Sequence, residues 1–155
     1  MPITTTSTPL PLPPSHAINW LQHPPNLLAA NPSGVIHTQT SPTAYTITLS
    51  IPVLWFFSFT VTTEAVFENR VDGVFVVTKT GGVRTSSEWT VAGLEARDGD
   101  RDGQEGCVVR EVFRVLECWW GVGWFVRWTA GREHVVLMER VEAGLRAVGE
   151  SKKVR

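Results

Sequence analysis

The first 63 residues of this 155-residue chain contain no Asp, Glu, Lys or Arg; all 29 such residues fall from Glu64 onward. Proline is missing from the other side: none follows Pro52, and all ten lie at or before it. A secretory leader needs a basic start and a continuous apolar core, whereas residues 1–14 are Thr-, Pro- and Leu-rich and uncharged. The chain is expected to stay in the cytoplasm. Long apolar runs are also lacking. The richest window, residues 51–61, is broken by Pro52, Ser58 and Thr60 and falls short of the ~20 residues that span a bilayer, so it reads as a strand. There are only two cysteines. Cys107 and Cys118 sit in one expected strand, ~36 Å apart on opposite faces, and cannot bridge, which fits a reducing compartment.

Other signatures are missing too. His16, His23, His37 and His134 never reach ligand spacing, and with two unpaired cysteines they make no zinc site. There is no nucleophile elbow or phosphate loop, and Gly121-Val122-Gly123 lacks the third glycine of a dinucleotide turn; it reads as the turn from a strand into a helix. The expectation is no metal, no cofactor and no catalytic residue. A net charge of −1 offers no overall field to nucleic acid or an anionic membrane. Oligomeric state is left open.

What is there fits one domain over residues 1–148, with 149–155 a short polar tail. The uncharged half alternates Ile, Leu, Val and aromatics like strands, so it reads as half of one fold. A strand is expected at 3–10, then two short helices at 16–22, with Ser15 as N-cap, and at 26–30, the pair Pro24-Pro25 ending the first. From Val35 the period becomes two, giving strands near 35–40, 45–51, 55–69, 73–80, 83–91 and 107–118, with turns at Asp72-Gly73 and Gly81-Gly82. On the fifth of these Val83, Thr85, Ser87, Trp89 and Val91 share a face. The chain ends in a helix over 124–148, ~37 Å long, with Trp124, Trp128, Gly131, Val135, Met138 and Leu145 on one stripe. A six-strand meander has a face to cover, and only this helix is long enough. Over a curved sheet the two cannot touch everywhere, so a hollow opens between them.

That order of elements resembles the helix-grip fold of the START and SRPBCC superfamily, which includes the polyketide cyclases. The opening ITTTSTPLPLPPSHAINWLQHPPNLLAANPSGV and the ending RVLECWWGVGWFVRWTAGREHVVLMERV carry the resemblance, which spans nearly the whole chain. More narrowly, the chain is similar to a fungal family of unknown function in that superfamily. The resemblance implies an α+β fold, a seven-stranded antiparallel sheet wrapped around the C-terminal helix, with the two short helices between strands one and two. It also implies a small hydrophobic ligand, of the lipid, sterol or polyketide kind, carried or sensed in the cavity. A cyclase or dehydratase using the same cavity is the alternative; a cavity-free interaction domain, exposing Trp55, Phe56 or Phe57 as a patch, is a third.

If the cavity exists, Trp124, Trp128, Gly131, Val135 and Met138 are expected to line it from the helix, and Phe59, Trp89 and Phe113 from the sheet. Tryptophan suits a pocket wall because it brings large apolar area and one N–H, and a glycine inside a helix costs ~1 kcal/mol, as if space were wanted there. Glu88, Glu111 and Glu117 alternate along strands and read either as outward carboxylates or as acid–base groups inside the cavity; His134, placed at the edge of the apolar stripe, Glu88 and Glu111 are possible polar anchors. Asp98 to Gly103 matches the first half of a calcium loop, but Val109 stands where the bidentate Glu belongs, so it reads as a solvated hairpin loop.

Overall fold

The computed structural model describes residues 2–32, 36–54, 56–94 and 106–153; Trp55 and the acidic loop at 98–103 lie outside them. The elements are β1 (Pro2–Leu10), α1 (Pro14–Leu21), α2 (Pro24–Ala30), β2 (Ile36–Ser41), β3 (Ala44–Leu54), β4 (Phe57–Arg70), β5 (Gly73–Thr80), β6 (Val83–Leu94), β7 (Gly106–Glu117) and α3 (Gly123–Lys153). All seven strands form one antiparallel sheet in the order β1-β7-β6-β5-β4-β3-β2. Strands β1 and β2 are therefore opposite edges, six strand spacings or ~29 Å apart in a flat sheet. The segment between them must cross the concave face, and α1 and α2 make that crossing, α1 packing on β5, β6 and β7.

Proline sets the local geometry of the two short helices in a way the sequence reading inverts. Pro14 opens α1, and its N-cap, Pro13, makes no side-chain cap, so Ser15 lies inside the helix. Pro24 and Pro25 begin α2 instead of ending α1, because a fixed φ and a missing N–H are tolerated in a first turn. What closes α1 is Gln22, whose Nε2 donates to the carbonyls of Arg70 at 2.7 Å and Gly73 at 3.2 Å, pinning the helix to the β4–β5 turn.

The last helix runs through Lys153, so residues 149–153 continue it instead of forming a tail. Its 31 residues span ~46 Å. Among its described side chains the buried ones are Ala130, His134, Met138, Val141 and Leu145, spaced by fours and one three. This stripe shares Met138 and Leu145 with the expected one but departs from it toward the amino end, where a one-residue offset is a turn of ~100°. Trp124 and Trp128 are consequently 69% and 59% exposed, and Val135 is exposed as well. Tertiary contact explains the phase: α3 packs on β1, α1 and α2, and those partners select the His134 face. Its carboxyl-terminal half joins Leu10, Leu21, Ala17 and Val109 in the core. At the β1 junction Glu142 accepts from Thr8 at 3.0 Å; hydrogen bonds from Arg146 and then Thr8 hold its carboxyl below the usual range.

Glycine matters in this helix at a different place from the one expected. A Cβ at Gly131 would meet nothing within 4 Å, whereas one at Gly144 would lie 2.6 Å from Cζ2 of Trp20. Gly144 is the close approach that lets α1 lie on α3. Gly131→Ala should therefore gain ~1 kcal/mol of stability from helix propensity, while Gly144→Ala should lose stability as Trp20 is displaced, by ~1–3 kcal/mol. Urea denaturation of the two variants checks the opposite signs; equal gains would show that Trp20 gives way freely.

Candidate functional site

A cavity of about 220 Å³ lies between the concave face of the sheet, α2 and α3. Strand alternation builds its floor. On β4, Thr63, Ala65 and Phe67 face inward; on β5, Val76, Thr78 and Thr80; on β6, Thr85, Ser87 and Trp89. Toward α1 the floor is apolar, with Phe67, Val76 and Trp89. Toward the β5–β6 turn it is made of hydroxyls, four of which hydrogen-bond in pairs, Thr63 with Thr80 and Thr78 with Thr85. Ile47 and Leu49 of β3 close one side, Leu27 and Leu28 of α2 cover the apolar end, and Glu133, His134 and Leu137 come from α3. No Lys or Arg borders the cavity among the described residues.

The polar feature of the helix wall is a buried pair. Glu111 is 1% exposed and His134 is 9% exposed. The imidazole Nδ1 lies 2.8 Å from one carboxylate oxygen, Oε1, and hydrogen-bonds the other, Oε2, at 2.9 Å. Thr6 on β1 donates to Oε2 over a long 3.5 Å. Oε1 has no aligned hydrogen bond of its own, so His134 carries nearly all of the compensation for burying this carboxylate. Phe113 packs against the imidazole, its ring centre 4.2 Å from that of His134. Three elements thus fix one imidazole at the edge of the cavity.

Of the residues singled out in the sequence, Trp89, Phe113 and His134 come together around the cavity, with Glu111 directly behind His134. The others are elsewhere. Trp124, Trp128 and Val135 face solvent, Gly131 opens onto nothing, and Met138 is buried in the main core. Phe59 has the inward parity of Thr63 and Ala65 but is 56% exposed, because β4 runs on past the cover that α2 and α3 provide. Glu88 points to the convex face, where it joins Arg70 at 2.7 Å and Arg114 at 3.0 Å, and the Arg70 guanidinium lies 4.3 Å over the Phe75 ring. It braces three strands and has no access to the cavity. His134, expected at the boundary of the helix face, is at its centre. Sequence reading missed the hydroxyl floor, although the inward parity of Thr78, Thr80, Thr85 and Ser87 is visible as a period of two across the Gly81-Gly82 turn.

The end of the molecule that carries the β3–β4, β5–β6 and β7–α3 turns is aromatic. Phe56, Phe57, Trp119 and Trp120 are all exposed there. Trp119 lies on the turn at Gly82, where an added Cβ would come within 2.3 Å of its Nε1 and where φ is +87°, so glycine serves both the turn and the indole. Cys107, by contrast, is sealed in the core, and burial pushes its thiol up from the ordinary range, which keeps it protonated and unreactive. No helix among the described residues is long and apolar enough to cross a membrane.

Comparison with known proteins agrees with this architecture. The chain is similar in structure to a START superfamily protein from Mycobacterium smegmatis, with 10% sequence identity, a TM-score of 0.67, and 94% of this chain and 97% of that one covered. It is also similar to the Zhui aromatase/cyclase from Streptomyces, with 14% identity, a TM-score of 0.57 and coverage of 98% and 94%. A conserved protein from Geobacillus kaustophilus gives 9% identity, a TM-score of 0.65 and coverage of 92% and 94%. At these identities the likeness concerns the fold alone. A search of curated proteins gives no match. A family model described as a domain of unknown function, DUF7053, matches residues 2–147, and the chain therefore belongs to that family, built on the START-like helix-grip fold.

Proposed function

We propose that this protein is a cytoplasmic carrier or sensor that holds a small hydrophobic molecule between its sheet and α3. The observation that carries the reading is the cavity itself: apolar side chains from β3, β4, β5, β6 and α2 line a space with one fixed imidazole at its edge. That is the composition of a ligand site, apolar walls with a small number of placed polar groups. The START and cyclase likenesses support it at the level of fold. Size narrows the occupant. About 220 Å³ is below the ~300 Å³ at which drug-sized pockets begin, so the space itself holds a short chain or one or two fused rings. A cavity of this kind also sets the interaction-domain reading behind the carrier, although Phe56 and Phe57 are exposed as that reading required.

A second reading, an enzyme of the cyclase type, is favoured by one observation, the Glu111–His134 pair. A carboxylate behind an imidazole is the arrangement that lets a histidine accept a proton and hold the resulting charge. Native mass spectrometry of protein purified from a eukaryotic extract tests both. A carrier should keep a noncovalent adduct of constant mass, recovered chemically unchanged after incubation. Val76→Phe, which fills the floor, should lose at least tenfold in adduct occupancy while keeping the circular dichroism of the parent. An adduct retained in full by that variant would place the ligand elsewhere, and turnover of the extracted ligand would favour the enzyme.

A further inference from the structure

The Glu111–His134 pair specifies more than a polar spot. An ionised carboxylate only accepts hydrogen bonds, so the contact at 2.9 Å places the imidazole proton on Nδ1. In the neutral ring the other nitrogen, Nε2, is then a bare acceptor. Nδ1 is on the Glu111 side, and Glu111 does not border the cavity while His134 does. No Lys or Arg borders the cavity among the described residues. The threonine pairs across the floor are already bonded to each other. The polar demand of the helix wall is therefore for a donor.

The geometry points to a ligand that is neutral and donates a hydroxyl proton to Nε2 of His134: an aromatic or enolic alcohol in place of a carboxylic acid, a ketone or an ether. Glu111 is the positioning residue, since it fixes the tautomer that makes Nε2 the acceptor. A fatty acid, ionised at neutral pH, has no proton to give Nε2 and meets no Lys or Arg among the described residues of the cavity. The inference rests on the cavity being a ligand site, as proposed above.

Three probes of similar ring size separate the possibilities by isothermal calorimetry: 1-naphthol, which donates; 1-methoxynaphthalene, the same ring with the donor capped; and 1-tetralone, which only accepts. The expected result is that 1-naphthol binds the wild-type protein about tenfold more tightly than either of the others, the worth of one neutral hydrogen bond. In the Glu111→Leu/His134→Leu double variant, which leaves no buried carboxylate unpaired, that ratio should fall to about one whatever the absolute affinities become. A merely structural role would lower all three affinities together and leave the ratio unchanged. Long-range nitrogen–proton correlation spectra of the free protein should show His134 protonated at Nδ1 and bare at Nε2. Equal affinities in the wild type, a preference for 1-tetralone, or a proton on Nε2 would each overturn the inference while leaving the cavity in place. Binding of none of the probes would instead remove the cavity reading, and this inference with it.

Discussion

Replacing His134 by leucine while keeping Glu111 should cost ~3 kcal/mol or more, or roughly 6–12 °C in Tm for a chain of this size. The reason is Glu111, not the lost imidazole packing. Its carboxylate is 1% exposed, one oxygen has no aligned hydrogen bond, and Thr6 alone, at 3.5 Å, would remain to compensate it. Breaking a buried pair from one side leaves an uncompensated acceptor in the interior, whereas removing both members leaves none. The Glu111→Leu/His134→Leu double variant should accordingly return to within ~1 kcal/mol of the parent, so the cycle has a coupling energy of ~2–3 kcal/mol. Urea titrations of the four proteins give each term. Additive losses, with the double variant the least stable of all, would mean that the two side chains act independently and that α3 is not latched to β7 through them.

The same pair shows where sequence reading succeeds and where it stops. Strand order and the covering helix were legible because they follow from local signals: period two after Val35, turns at Asp72-Gly73 and Gly81-Gly82, and one long helix with a single face left to cover. Faces of the sheet are legible by parity, and Trp89, on the face shared with Thr85 and Ser87, borders the cavity together with Phe113. Parity says which face a residue is on but not how far the cover extends, so Phe59 was assigned to the cavity and is exposed. Glu88 and Glu111 looked alike as strand carboxylates. They differ by one residue of parity, which sends Glu88 out to Arg70 and Arg114 and Glu111 in to His134. The contact between Glu111 and His134 joins residues 23 apart in a strand and a helix, and nothing in local pattern announces it. The prolines failed for the opposite reason: Pro24-Pro25 was read as a stop, when the same fixed φ also serves a start.

The helix phase is the part of the reading that a pair of substitutions decides. Two stripes were available on α3. They share Met138 and Leu145; one runs on through Trp124, Trp128 and Val135, and the other through Ala130, His134 and Val141 and is the one buried. Aromatic content favoured the first, but the stripe that packs is chosen by β1, α1 and α2, which lie under the carboxyl-terminal half. Leu145 is 0% exposed in the core formed with Leu10 and Leu21. Leu145→Ala should therefore cost ~3–4 kcal/mol, from lost burial and the cavity left behind. Trp128→Ala should stay within ~1 kcal/mol of the parent, because the side chain is 59% exposed and its cation–π contact with Arg132, at 5.9 Å, is worth ~0.5–1 kcal/mol on a surface. If Trp128→Ala proved the more damaging of the two, the Trp stripe would be the packed face and the cavity wall would have to be rebuilt around it.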